Sequence, residues 1–522
     1  MDTKALRQKI LDFAIRGKLV PQDPNDEPAS VLLERIRAEK QQMVKDGRLK
    51  AKDIKNDTVI FVGEDNLHYE KFADDTVKCI EDEIPFDVPD GWEWARIFTI
   101  SDDLPYGTAK KSEKMGKVAV LRMGNIQSGE IDYRDLVFTS DEEDINRYML
   151  QPGDLLFNRT NSAEWVGKTS IYRGDMPCIY AGYLIRMRTH INAEYLNAVM
   201  NSGYAKNYCN SVKTDGVNQS NINAQKLGAF LVPIPPQNEQ LRIDAFIVKV
   251  LPLVQTISQN KTDIASLLSF SKAKILDLAI RGKLVPQDPN NEPASVLLER
   301  IRAEKEALIK QGIIKQDKRE SVIFRGEDNS YYLRTGDLVE SLSDWGFDDL
   351  PDSWDVCCLG EVCDYGNCEN VEVSAIEESA WILDLEDIEK DTGKILTRIK
   401  KAERESTSTK HRFHKGQVLY SKLRPYLNKV VLAGQDGYCT SEILPLEFNS
   451  IICPEFARYY LMSPTFLRYA SRCSYGVKMP RLGTEDGKKA IVPVPPINEQ
   501  AEIVDRIHSV FFYLDSITAS LE

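Results

Sequence analysis

Histidine is scarce in this chain, with five in 522 residues. Zinc sites draw on His and Cys in paired spacings. His411 and His414 instead sit inside a basic run and read as phosphate-facing or surface residues. Cys357, Cys358, Cys363 and Cys368 cluster without a second knuckle or a nearby histidine, so they read as packed, reduced thiols. Ten cysteines over this length are too few for a disulfide scaffold. Long apolar runs are also missing. Nothing approaches the ~18 residues that a membrane span needs. The opening MDTKALRQKILDFAIRGK is amphipathic, without an apolar signal core, which points to a cytoplasmic protein. There is no G-x-G-x-x-G fingerprint and no G-x-S-x-G elbow. Gly167-Lys168-Thr169 resembles the end of a phosphate-binding loop, but Ser162 stands where its first glycine is required, so an NTP-using enzyme is the weaker alternative. Carboxylates are too abundant to single out an acid/base pair. The expectation is a recognition protein without catalysis of its own.

What is present is ordinary core-forming material, 42% hydrophobic and 28% charged, and an internal repeat. Residues 9–40 and 274–305 are identical at 30 of 32 positions. Weaker echoes keep the same order: VIFVGEDN with VIFRGEDN, VPDGWEW with LPDSWDV, and VPIPPQNEQ with VPVPPINEQ. Each half has the same head and tail around a divergent insert, the pattern of one task performed twice on different targets. After the first tail, Ile243, Ile247, Val250, Val254 and Ile257 recur at coiled-coil spacing, predicting a helix of about 45 residues that starts at an Asn238 cap and stops at Gly282. Ile503, Ile507, Val510, Leu514, Ile517 and Leu521 begin the same helix again, and the missing half is residues 1–17. The repeat is therefore circular, and a twofold relation favours antiparallel pairing of the helices. The inserts mix short β runs (Val118 to Leu121, Ile179-Tyr180, Val418 to Tyr420, Lys429 to Leu432) with helical stretches (Ala193 to Ser202, Glu455 to Leu461), an α+β pattern.

A net charge of −13 argues against a uniformly basic nucleic-acid binder, but the charge is sorted. Asp57 to Asp90 holds 11 acidic and 2 basic residues, and Thr335 to Asp391 holds 18 and one. Arg398 to Leu432 holds 10 basic and 2 acidic residues. The acidic blocks are expected to face solvent or a protein partner. The basic block suits a polyanion, because Lys and Arg neutralise phosphates and Arg and Asn can also read base edges. Its candidates are Lys401, Lys410, Arg412, Tyr420, Ser421, Lys422, Arg424, Tyr426, Asn428 and Lys429, with Lys478 and Arg481 further on. In the first insert the candidates are Asn158, Arg159, Thr160, Asn161, Ser162 and Lys168, then Lys213, Asn218, Gln219 and Asn221. Loop chemistry accounts for the same Asn and Ser residues equally well.

AIRGKLVPQDPNDEPASVLLERI and its copy, the paired VPDGWEW and LPDSWDV, LRMGNI, GDLLFNRTNSAEWVGK, KGQVLYSKLRPYLNKV and the paired PIPPQNEQ and PVPPINEQ together resemble the specificity subunit of a Type I restriction-modification system. The resemblance covers essentially the whole chain. It implies an α+β fold with two globular target-recognition domains separated by an antiparallel pair of long helices. The expected segments are 1–49, a helical head; 50–236, the first recognition domain; 237–314, the central helix and repeat; 315–496, the second recognition domain; and 497–522, the closing helix. It further implies that each domain reads half of an asymmetric double-stranded DNA site while the helices set the gap. Two methyltransferase subunits would carry S-adenosylmethionine, and motor-nuclease subunits would carry ATP and Mg; this chain would hold no cofactor or metal. A subunit of a fused restriction-methylation enzyme or of an orphan methylation system is the alternative.

Overall fold

The computed structural model describes residues 2–216, 219–312, 321–328, 330–405 and 408–521. It divides into two units, Met1–Asn260 and Lys261–Glu522. The predicted long helix runs 44 residues, Gln237–Ile280, through Pro252. It begins one residue before the expected cap. The Pro236 carbonyl already accepts the Gln240 N–H at 3.0 Å, so Pro236 occupies the cap position and Asn238 lies in the first turn. The closing helix is Ile497–Leu521, and the Pro496 carbonyl takes the Gln500 N–H in the same way.

Each unit is built from a head and a tail. In the first, the head is the helix Thr3–Ile15 and the tail is the start of the long helix. Leu11, Ala14 and Ile15 share one core with Ile243 and Ile247. In the second, the head is the end of the long helix and the tail is Ile497–Leu521. Leu276, Ala279 and Ile280 there join Ile503 and Ile507. Partner numbers fall as residue numbers rise: Lys272 pairs with Asp515, Gln287 bonds Glu499 and Asn291 bonds Asn498. The head and tail of this unit therefore run antiparallel. Both heads stop alike. Gly17 and Gly282 are left-handed at φ +63° and +65°, and the following N–H reaches back to Phe13 at 2.8 Å or Leu278 at 2.9 Å. A Cβ on either glycine would stand 2.4 Å from a proline Cγ, Pro89 or Pro351.

The shared Trp and tail motifs lock insert to helix. The Trp92 indole donates to Glu239 at 2.9 Å, and Trp354 to Glu499 at 3.0 Å. Gln240 bonds the Pro235 carbonyl and the Asn192 N–H; Gln500 bonds the Pro495 carbonyl and the Cys453 N–H. Burial pushes both glutamates up, against the opposing pull of these donors. Behind this lock, Glu93–Arg96 pairs antiparallel with Leu231–Ile234, and Asp355–Cys358 with Ile491–Val494.

Each insert then adds larger sheets. In the first unit Leu155–Asn158 lies between Thr169–Ile171 and Leu184–Met187, and Val118–Leu121 lies between Cys178–Tyr180 and Val137–Thr139. In the second, Val418–Ser421 lies between Val430–Leu432 and Ile443–Leu446, beside a five-stranded sheet. The strands expected at Val118, Ile179, Val418 and Val430 all form. So do the helices Ala193–Met200 and Pro454–Met462. Cys357, Cys358 and Cys363 lie in the core, and burial pushes all three thiols up, Cys358 to about 12. No helix among the described residues is long and apolar enough to cross a membrane.

Candidate nucleic-acid interface

A fully buried central strand ends each insert's main sheet and delivers its next residues to a rim. In the first unit this strand is Leu155–Asn158. Asn158 is buried, and its side-chain amide makes only a long 3.4 Å bond to the Trp165 carbonyl. The chain then pairs Thr160–Asn161 with Ser220–Asn221, which pairs in turn with Thr214–Asp215. Two candidate stretches about 60 residues apart in sequence thus meet on one rim. Arg159 lies 4.5 Å over the Tyr106 ring and 3.4 Å from the Asn221 side-chain oxygen Oδ1, and the Asn221 side-chain amide donates to the Thr160 hydroxyl at 2.8 Å. Lys168 sits 4.0 Å over Trp165 and bonds Gln127 at 3.0 Å; burial lowers its pKa, with Glu164 opposing. Ser162 and Gln219 are exposed, Asn161 caps the Ser162 N–H, and Lys213 stands 3.9 Å from Asp215. Asn218 lies outside the described residues. The rim also holds three exposed aromatics that sequence reasoning missed: Tyr106, Trp165 and Tyr183. An exposed aromatic carries no periodic signal, so only the fold could reveal them.

The second unit builds the same rim from different residues. Val418–Ser421 is buried throughout. Tyr420 packs against Tyr365 and Phe466, and the Ser421 hydroxyl donates to the Leu423 carbonyl at 2.9 Å. Leu423 then bridges Arg481, which bridges Tyr475, as Thr160, Asn221 and Thr214 do in the first unit. Lys422 is half-buried and Arg424 exposed; among the described residues neither has an acidic side chain within ion-pair distance. Arg424 is held at φ +49° by its N–H bond to the Pro480 carbonyl. Tyr426, Tyr475, Lys478 and Met479 stand exposed beside it. The Arg481 guanidinium is taken up by Glu442 in contacts of 2.6–3.1 Å.

Other members of the basic block are committed elsewhere, and this revises the expectation for the acidic one. The ammonium of Lys401 reaches Glu378 and the Ile376 carbonyl, and buried Lys410 lies 3.8 Å from Asp384. Arg412 pairs with Glu369, and Arg404 clamps Asp384 and Asp387. Lys429 donates to the Leu385 carbonyl at 2.6 Å, its pKa lowered by burial. Asn428, at φ +50°, is buried and donates to the Met462 carbonyl. Acidic residues expected to face solvent or a partner therefore neutralise the basic run from within the same unit. Gly167-Lys168-Thr169 forms no phosphate cradle. Thr169 opens a strand rather than a helix, its hydroxyl turns back to the Gly167 carbonyl, and the Gly167 N–H donates to Asn158.

A buried strand tip carrying cations, amides and exposed aromatics can grip phosphate and stack or hydrogen-bond bases. Residues 351–521 match the family described as the Type I restriction modification DNA specificity domain. The chain is 25% identical to the Type I restriction enzyme EcoEI specificity subunit of Escherichia coli, over 99% of this chain and 91% of that one. It is 28% identical to the EcoAI specificity subunit of Escherichia coli, over 70% and 63% of the two chains. Among solved structures, the HsdS subunit from Thermoanaerobacter tengcongensis aligns at 15% identity and a TM-score of 0.38, covering 84% of this chain and 92% of that one. Residues 351–521 thus resemble a Type I DNA specificity domain, and the chain is similar over most of its length to specificity subunits of Type I restriction enzymes.

Proposed function

We propose that each unit reads one half of an asymmetric, split DNA site, that the long helix fixes the gap, and that the helices and adjoining loops dock two methyltransferase subunits. Those subunits bring S-adenosylmethionine and flip the target adenine out of the stack. Motor-nuclease subunits, with ATP and Mg, add cleavage. The chain itself recognises and positions, without catalysis. The observation that carries this reading is the twice-built rim: one backbone pattern, Thr160–Asn221–Thr214 and Leu423–Arg481–Tyr475, filled with different side chains. Arg159 and Asn221 are the base-reading candidates of the first half; in the second, Lys422 and Arg424 are the phosphate-gripping candidates and Tyr426 the stacking one. Lys401, Lys410 and Arg412, paired with acids, act in structure rather than on DNA.

DNA titrations of the complex at several salt concentrations test the assignment. Lys422→Ala and Arg424→Ala are each expected to weaken binding and to lower the salt slope by about one. Arg412→Ala is expected to leave both unchanged. Equal effects from all three would remove the second rim from the interface.

A further inference from the structure

The two units diverge at their rims but agree closely in the small three-stranded meander near the start of each insert. The strands are Val59–Val62, His68–Lys71 and Val77–Cys79 in one unit, and Ser321–Arg325, Tyr331–Thr335 and Leu338–Ser341 in the other. One face repeats side chain for side chain. Phe61 stacks on Tyr69 with ring centroids 5.9 Å apart, and Phe324 on Tyr332 at 5.8 Å. The tyrosine hydroxyl donates to Asp65 or Asp328, at 2.8 Å in both. Gly63 and Gly326 lie so close that a Cβ would meet the tyrosine ring at 2.8 Å. Lys71 and Arg334 add a cation, Val77 and Val339, about half exposed at 52% and 50%, complete the strip, and exposed Val322 lies opposite Arg334 on the same face. Among the described residues, the third strand of each meander is a sheet edge, paired on one side only.

A free strand edge beside an exposed apolar strip is a template for another chain. DNA does not suit it, because exposed Glu64, Asp65 and Asp74 lie by the first strip, and Glu327, Asp328 and Asp337 by the second. These acids would repel phosphate and attract a basic segment. Residues that differ between the units suit two different half-sites. Residues that repeat suit something done identically twice.

We infer that the two meanders are twin docking surfaces for one protein bound in two copies per chain, the methyltransferase subunit, which lays an extended apolar and basic segment along each free edge. This inference rests on the docking reading proposed above and adds the surface and its chemistry. The full chain co-expressed with its methyltransferase subunit, weighed by native mass spectrometry, tests it. The unaltered chain should carry two copies. Phe61→Ala with Val77→Lys should leave one, Val339→Lys with Val322→Lys should leave one, and all four together none. These side chains stand partly or largely in solvent, and unchanged circular dichroism melts confirm that the variants fold. Two copies retained by every variant would overturn the inference while leaving the docking reading intact. An unaltered chain that binds no methyltransferase would overturn both. A self-associated chain that the same variants make monomeric would assign the strips to a second copy and overturn the inference.

Discussion

At Asp387, burial and charge pull in opposite directions. Burial raises its pKa, but bonds from Arg404, the Asp384 N–H and Thr397 outweigh it and hold the carboxyl below the usual range. A depressed folded pKa means that the stabilisation is complete above the unfolded value near 4 and is lost as pH falls through the folded one. Asp387→Asn should therefore destabilise the second unit at neutral pH by about 3 kcal/mol, the scale for breaking one side of a buried pair. It should also flatten the loss of stability as the pH falls below about 4. Urea melts at several pH values check both; an unchanged pH slope would mean that Asp387 is not an ionised partner of Arg404. Composition showed the acidic and basic blocks that meet here, but not that they meet. Charge counts are one-dimensional, and the pairing depends on a five-stranded sheet that brings residues near 384 beside residues near 404.

Helices were the most legible elements. A coiled-coil period sustained over 40 residues leaves little choice of structure, and the helix Gln237–Ile280 departs from expectation only at its cap. The stops are equally local. Gly17→Ala forces a left-handed alanine and a Cβ 2.4 Å from the Pro89 ring, whereas Gly47→Ala at φ +73° meets nothing within 4 Å. Backbone strain alone costs about 1–3 kcal/mol. Gly17→Ala should therefore lower the melting temperature of the first unit clearly more than Gly47→Ala, and equal melts would deny the close packing of the proline. The rims were far less legible. Their strands are two residues long, too short for any period, and Asn221 reaches Thr160 across about 60 residues. The candidate stretches were visible as Asn- and Lys-rich loops. Which members are buried props, such as Asn158, Tyr420 and Asn428, and which stand exposed, such as Arg424 and Tyr426, depends on packing that the sequence does not print.

For the whole molecule, the near-identical heads and tails predict that inserts are exchangeable. The contacts that seat each insert repeat in kind: Trp92 with Glu239 and Trp354 with Glu499, Pro89 over Gly17 and Pro351 over Gly282. Replacing residues 50–236 with the corresponding insert of a relative should change one half of the recognised site and leave the other half and the gap unchanged. The most direct test of the account is a genome-wide map of methylated adenines, by long-read sequencing, in cells expressing the chain with its methyltransferase subunit. The account predicts a single split motif, its two halves different and methylated on opposite strands across a fixed gap. A continuous motif, a palindromic one, or no methylation from an intact complex would contradict it.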